Sequence, residues 1–77
     1  MNQSEKHQII LNAFHNSRYG VSPTATRGAV ESYARKHRLE GPDYAEALES
    51  AMAAGLVAQG ADSIITIRNA GRKLLPR

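Results

Sequence analysis

The side chains with the most chemical capacity in this chain are its cations, and they come in groups. Arg35, Lys36 and Arg38 stand together, Arg68, Arg72, Lys73 and Arg77 follow near the C-terminus, and Arg27 stands alone. Clustered guanidinium and ammonium groups contact phosphate, the sequence-independent and salt-sensitive part of nucleic-acid affinity. The same groups also serve as solvated surface charge, and a cation at a helix C-terminus is favoured by the helix dipole. Both readings fit residues 35–38. Arg27, placed at the start of a helix, opposes that dipole and needs another reason to be there. The net charge is only +3, so the placement of the cations matters more than their sum.

Other chemistries find little footing. His7 and His15 are too far apart on one helix to clamp a metal ion from i and i+4, and His37 lies elsewhere. The chain has no cysteine, hence neither a disulfide nor a thiolate metal site. Its glycines are scattered as punctuation rather than gathered into a phosphate-cradling loop, and so short a chain seldom encloses a catalytic pocket. The expectation is a protein without metal, cofactor or small-molecule ligand, and not an enzyme. The longest apolar runs are only a few residues, so neither a signal peptide nor a membrane span is expected, and the chain reads as cytoplasmic.

With 77 residues the expectation is one domain, near the size at which a single core is marginal. Hydrophobic residues make up 42% but aromatics only 5%. The core must therefore be aliphatic and rich in alanine, with close helix approach replacing bulk, and a second copy is one way to cover leftover apolar surface.

The stretch from Gly41 to Gly71 sets the architecture. Ala45, Leu48, Met52 and Leu56 recur at steps of three and four, which predicts a helix over 42–54 with that stripe buried. Pro42 suits a first helical turn, and Asp43 and Glu46 sit at the positive end of the dipole. Gly55 can take the left-handed conformation that ends a helix, with Leu56 folding back over the last turn. Beyond it the period changes to two: Ile65 and Ile67 alternate with Ile64, Thr66 and Arg68, a hairpin over 57–68 closed by Gly60-Ala61-Asp62. Asn69 is placed to cap a final turn within a tail at 69–77, with Leu74 and Leu75 packing back on the first helix.

Upstream, Ser4 is a candidate cap for a first helix over 4–18, with Ile9, Ile10, Ala13 and Phe14 on its apolar side. Thr24 or Thr26 caps a second helix over 25–38, whose buried face carries Val30, Tyr33, Ala34 and His37. Leu39-Glu40-Gly41-Pro42 is the short glycine-containing turn between the second and third helices.

This element order resembles the winged helix-turn-helix superfamily. The matching pieces are ALESAMAAGLV for the third helix and its exit, VAQGADSIITI for strand, short wing and strand, and IRNAGRKLL for the tail. The resemblance implies a mainly α fold with a small β-hairpin (α+β), three helices and a wing. It also implies a short first strand paired with the hairpin, for which 19–21 is the candidate, and double-stranded DNA as the partner. In that superfamily the third helix enters the major groove. Carried over to this chain, its outward face presents Tyr44, Ala47 and Ser50, with phosphate contacts from Arg27, Arg68, Arg72 and Lys73. Asp43, Glu46 and Glu49 lie on the same helix and repel phosphate, where the family's pattern places residues that read base edges. Their position at a helix start also has the plain dipole explanation. Tyr44 has two readings as well, a nucleic-acid contact or a half-buried packing residue.

Two functional classes follow: a small DNA-binding regulatory or accessory protein, or a protein-interaction or dimerisation module. Burial of the third-helix stripe is directly testable. Leu48→Ala should lower stability by about 2–5 kcal/mol, read from the denaturation midpoint; an unchanged midpoint would turn that helix the other way.

Overall fold

The computed structural model describes residues 2–16, 18 and 20–75, with Asn16 described by its backbone alone. Tyr19, in the expected first strand, and Arg77, in the basic tail, lie outside the described residues.

Helix α1 spans Gln3–Asn12. Its cap is Asn2, whose Oδ1 accepts the Glu5 N–H at 2.8 Å, so Ser4 lies inside the helix rather than at its start. The expected extension to residue 18 does not form. The N–H groups of Ala13 and Phe14 donate to Ile10 and Leu11 carbonyls three residues back, tightening the last turn. Phe14 is then buried and its carbonyl accepts the Ser22 N–H at 2.7 Å. Strands β1 (His15–Asn16) and β2 (Gly20–Val21) pair antiparallel, with Gly20 at φ +83°. Turn-forming residues and the anchored phenyl ring override the helical period here.

The expected strand at 19–21 is also displaced. The strand that joins the hairpin is β3 (Thr24–Thr26), antiparallel to β5 (Ile64–Ile67), with Ala25 opposite Ile65. On its other edge β5 pairs antiparallel with β4 (Val57–Gln59), giving the sheet order β3-β5-β4. Strand β5 therefore lies in the middle and turns Ile65 and Ile67 into the core, the alternation a half-buried strand requires. The hairpin tip carries two non-glycine residues at positive φ, Asp62 (+53°) and Ser63 (+63°).

Thr26 does two jobs. As the last residue of β3 it faces Ile64, and its Oγ1 accepts the Ala29 N–H at 3.1 Å to cap α2 (Arg27–Lys36). Helix α2 buries Val30 and Ala34. His37, expected on that buried face, is exposed. It is the cap residue, off helical geometry at φ −105°, and its ring centroid lies 4.5 Å from that of Tyr33.

Helix α3 spans Gly41–Ala53 and buries Tyr44, Ala47, Leu48 and Ala51. The expected stripe is thus rotated: Leu48 keeps its place, Ala45 is exposed and Met52 half-buried. Two alanines toward the core let α1 pack directly against α3, which the longer side chains could not allow. The helix ends as its glycine implied. Gly55 sits at φ +76°, its N–H donates to Met52 and that of Leu56 to Ala51, the paired bonds of a Schellman motif.

A short helix, α4 (Asn69–Arg72), follows the sheet with Arg68 at its cap position, so Asn69 is the first helical residue rather than the cap. Leu75 is buried but Leu74 is 52% exposed. Only Leu75 packs inward as expected, although the Leu74 carbonyl accepts from Gln8 Nε2 of α1 at 3.3 Å. Gly71, within α4, is buried. A Cβ there would lie 2.4 Å from the Leu56 carbonyl oxygen and 2.9 Å from Leu11 Cδ2. Gly71→Ala should cost about 1–3 kcal/mol from overpacking. Gly28→Ala, in a helix with open space around it, should instead stabilise by roughly 0.5–1 kcal/mol. Urea denaturation of both variants checks the opposite signs.

Candidate nucleic-acid interface

Three of the seven residues expected to meet DNA are turned into the protein. Ala47 is fully buried and Tyr44 is 6% exposed. The Tyr44 hydroxyl donates to the Arg27 carbonyl at 3.4 Å, so this side chain ties α3 to the start of α2. Ser50 is half-buried against α1, its Oγ within reach of Gln3 Nε2 and 2.9 Å from His7 Nε2. These residues are a correction to the expected outward face, and the reason is the rotation of α3 described above. Alanine and serine at 47 and 50 carry no strong signal of their own. The same 3.6-residue period fits two faces that differ by a single step.

What α3 does present to solvent is Asp43, Ala45, Glu46 and Glu49. That surface is acidic. Beside it runs a shallow groove of about 260 Å³ lined by Arg27, Ala45, Leu48, Glu49, Met52 and Gln59. It lies between α3 and the hairpin, with an apolar floor and one charge of each sign at its rim.

The four cations are exposed, and the sheet separates them into two sites. Arg27 stands at the hairpin tip. Its backbone N–H donates to the Ser63 carbonyl at 2.8 Å, and its guanidinium donates to Gln59 Oε1 of β4 at 3.2 Å. That partner is neutral, and among the described residues no carboxylate lies within ion-pair distance of Arg27. Arg68, Arg72 and Lys73 gather at the other end of β5. There Arg68 N–H donates to the Leu56 carbonyl at 2.9 Å, and the buried Gly71 and Leu75 fix the short helix that carries the other two. The four-residue strand β5 lies between Ser63 and Arg68, roughly 13 Å at the rise of a strand. By contrast Arg35, in the other basic group, is paired with Glu31 across one helical turn at 3.3 Å.

No protein-family model and no curated protein matches this sequence. Among solved structures, the chain superimposes on TubR bound to 24 bp of tubC, from Bacillus thuringiensis serovar israelensis pBtoxis. The match has a TM-score of 0.65 and covers 95% of this chain and 87% of that one, at 21% sequence identity. The fold is a winged helix. In winged-helix terms α2 and α3 form the helix-turn-helix, and β4 and β5 form a wing whose tip is only the turn around Asp62 and Ser63. Among the described residues no helix is long and apolar enough to cross a membrane.

Burial raises the Tyr44 phenol above its ordinary value of 10.0, the nearby Arg27 charge opposes that rise, and Glu31 adds to it. The folded protein therefore keeps this proton where the unfolded chain releases it. The stabilisation is complete below pH 10 and is lost as the pH climbs through the raised value. Thermal melts above about pH 10 should fall more steeply for the parent than for Tyr44→Phe; parallel curves would remove Tyr44 from the buried side.

Proposed function

We propose that this chain is a small DNA-binding protein, regulatory or accessory, that meets duplex DNA mainly through backbone phosphates. One observation carries the reading: a winged-helix fold shared with TubR, whose solved form is bound to tubC, here holds exposed arginines at both ends of its sheet. Arg27 at the tip and Arg68, Arg72 and Lys73 at the base are separated by a span comparable to a DNA groove, about 12 Å wide for the major groove. Such a pair of sites suits phosphates on the two strands. The acidic outer face of α3 argues that this helix does not lie along the groove floor. The duplex approaches along the hairpin and α4 instead.

The alternative, a module that binds a protein partner or a second copy, draws on the Ala45 and Met52 strip between α3 carboxylates beside the groove. Fold alone does not choose between the two. A cytoplasmic setting fits both.

A fluorescence titration with random duplex at several salt concentrations tests the proposal. The parent should bind with a strong inverse salt dependence. Arg72→Ala with Lys73→Ala should weaken binding to all sequences alike and reduce the magnitude of the log–log salt slope by about 2. No detectable binding by the parent at low salt discards DNA in favour of a protein partner.

A further inference from the structure

Helices α2 and α3 end in the same way, with one difference. After α3, Gly55 occupies the left-handed position at φ +76°, with Gly55 N–H bonded to Met52 and Leu56 N–H bonded to Ala51. After α2 the bonds are equivalent: Arg38 N–H donates to Arg35 at 3.1 Å and Leu39 N–H to Ala34 at 2.9 Å. The residue in the left-handed position there is Arg38, at φ +66°. An L side chain is disfavoured in that conformation, and glycine is the usual occupant. Gly20 and Gly41 meet the same demand with glycine, at φ +83° and +62°. Among the described residues the other non-glycine positions at positive φ, Asp62 and Ser63, form the hairpin tip; Arg38 is the long cationic side chain placed at a helix end where α3 uses glycine.

The position is also well held. Leu39 next to it is buried at 1% exposure, so the paired backbone bonds on one side and a core side chain on the other fix the Arg38 Cα. The residue is exposed, and among the described residues no carboxylate lies within ion-pair distance of it, whereas Arg35 one turn back is paired with Glu31. Glu40 and Asp43 are its acidic neighbours in sequence, both exposed; they temper the local field without capturing the guanidinium. Stability alone does not account for this arginine, because glycine would serve the turn better.

We infer that Arg38 is a phosphate-positioning residue: a guanidinium held at the helix-turn-helix corner at a cost in fold stability, to bind a backbone phosphate of duplex DNA. The inference rests on the DNA-binding reading above. It adds a contact at the corner between α2 and α3 to those proposed at the two ends of the sheet.

The test uses the opposite signs that strain and binding give. Arg38→Gly should melt higher than the parent by about 4 °C or more, yet bind random duplex several-fold more weakly, with the magnitude of its salt slope reduced by about 0.9. Arg38→Lys keeps both strain and charge, and should retain the parent melting temperature and salt slope. Unchanged duplex affinity and slope in Arg38→Gly, with the parent binding normally, overturns the role of Arg38 and leaves the DNA reading intact. A melting temperature that falls or stays level overturns the strain argument. A parent that binds no duplex overturns the DNA reading and this inference with it.

Discussion

The fold depends on how closely α1 and α3 approach, and that approach depends on alanine. With one phenylalanine and three tyrosines in 77 residues, the domain cannot fill a wide interior. It therefore builds a narrow one. Ala47 and Ala51 face inward on α3 with no exposure, alongside Ile10, Leu11 and Phe14 on the neighbouring segment. Gly71 applies the same economy at the other end, where the backbone of α4 comes against the Leu56 carbonyl with no room for a Cβ. Dense packing of small groups gains dispersion contacts that bulkier side chains would gain by volume. Everything else is arranged around this contact, including the direction in which the α3 carboxylates point.

That arrangement governs how charge is distributed over the surface. Because the small side chains go inside, the outer face of α3 inherits Asp43, Glu46 and Glu49. The positive charge is left to α2 and its turn, at Arg27, Arg35, Lys36 and Arg38, and to the segment after β5, at Arg68, Arg72 and Lys73. A winged helix that reads DNA with its third helix wants the reverse distribution. In this chain the outward side of α3 is acidic and its inward side holds the helices together.

Parts of this were legible in the residues. The change of period after Gly55, the alternation of Ile65 and Ile67, and the turn at residues 39–42 point to three helices and a hairpin, and the structure has them. The face of α3 was harder to read. Ala45, Leu48 and Met52 and the rival set Tyr44, Ala47, Leu48 and Ala51 obey the same period. Spacing alone pointed to the first set, whereas the requirement for close approach at Ala47 and Ala51 selected the second. Strand β3 was hidden because Thr24 and Thr26 look like helix caps, and Thr26 proved to be both cap and strand. The early end of α1 turns on Phe14 and on pairing between residues 15–16 and 20–21, which is too short to leave a pattern. The left-handed residue after α2 left no mark in the sequence, because Arg38 stands where the end of α3 has glycine.

The double duty of Thr26 has a mechanical consequence. Since the edge strand runs into the next helix without an intervening residue, and Arg27 N–H is already bonded to the hairpin tip, there is no hinge between sheet and helix-turn-helix. Ribbon and corner form one lever, and a partner that grips either end meets a surface whose shape was set during folding, so little conformational freedom remains to be surrendered on contact.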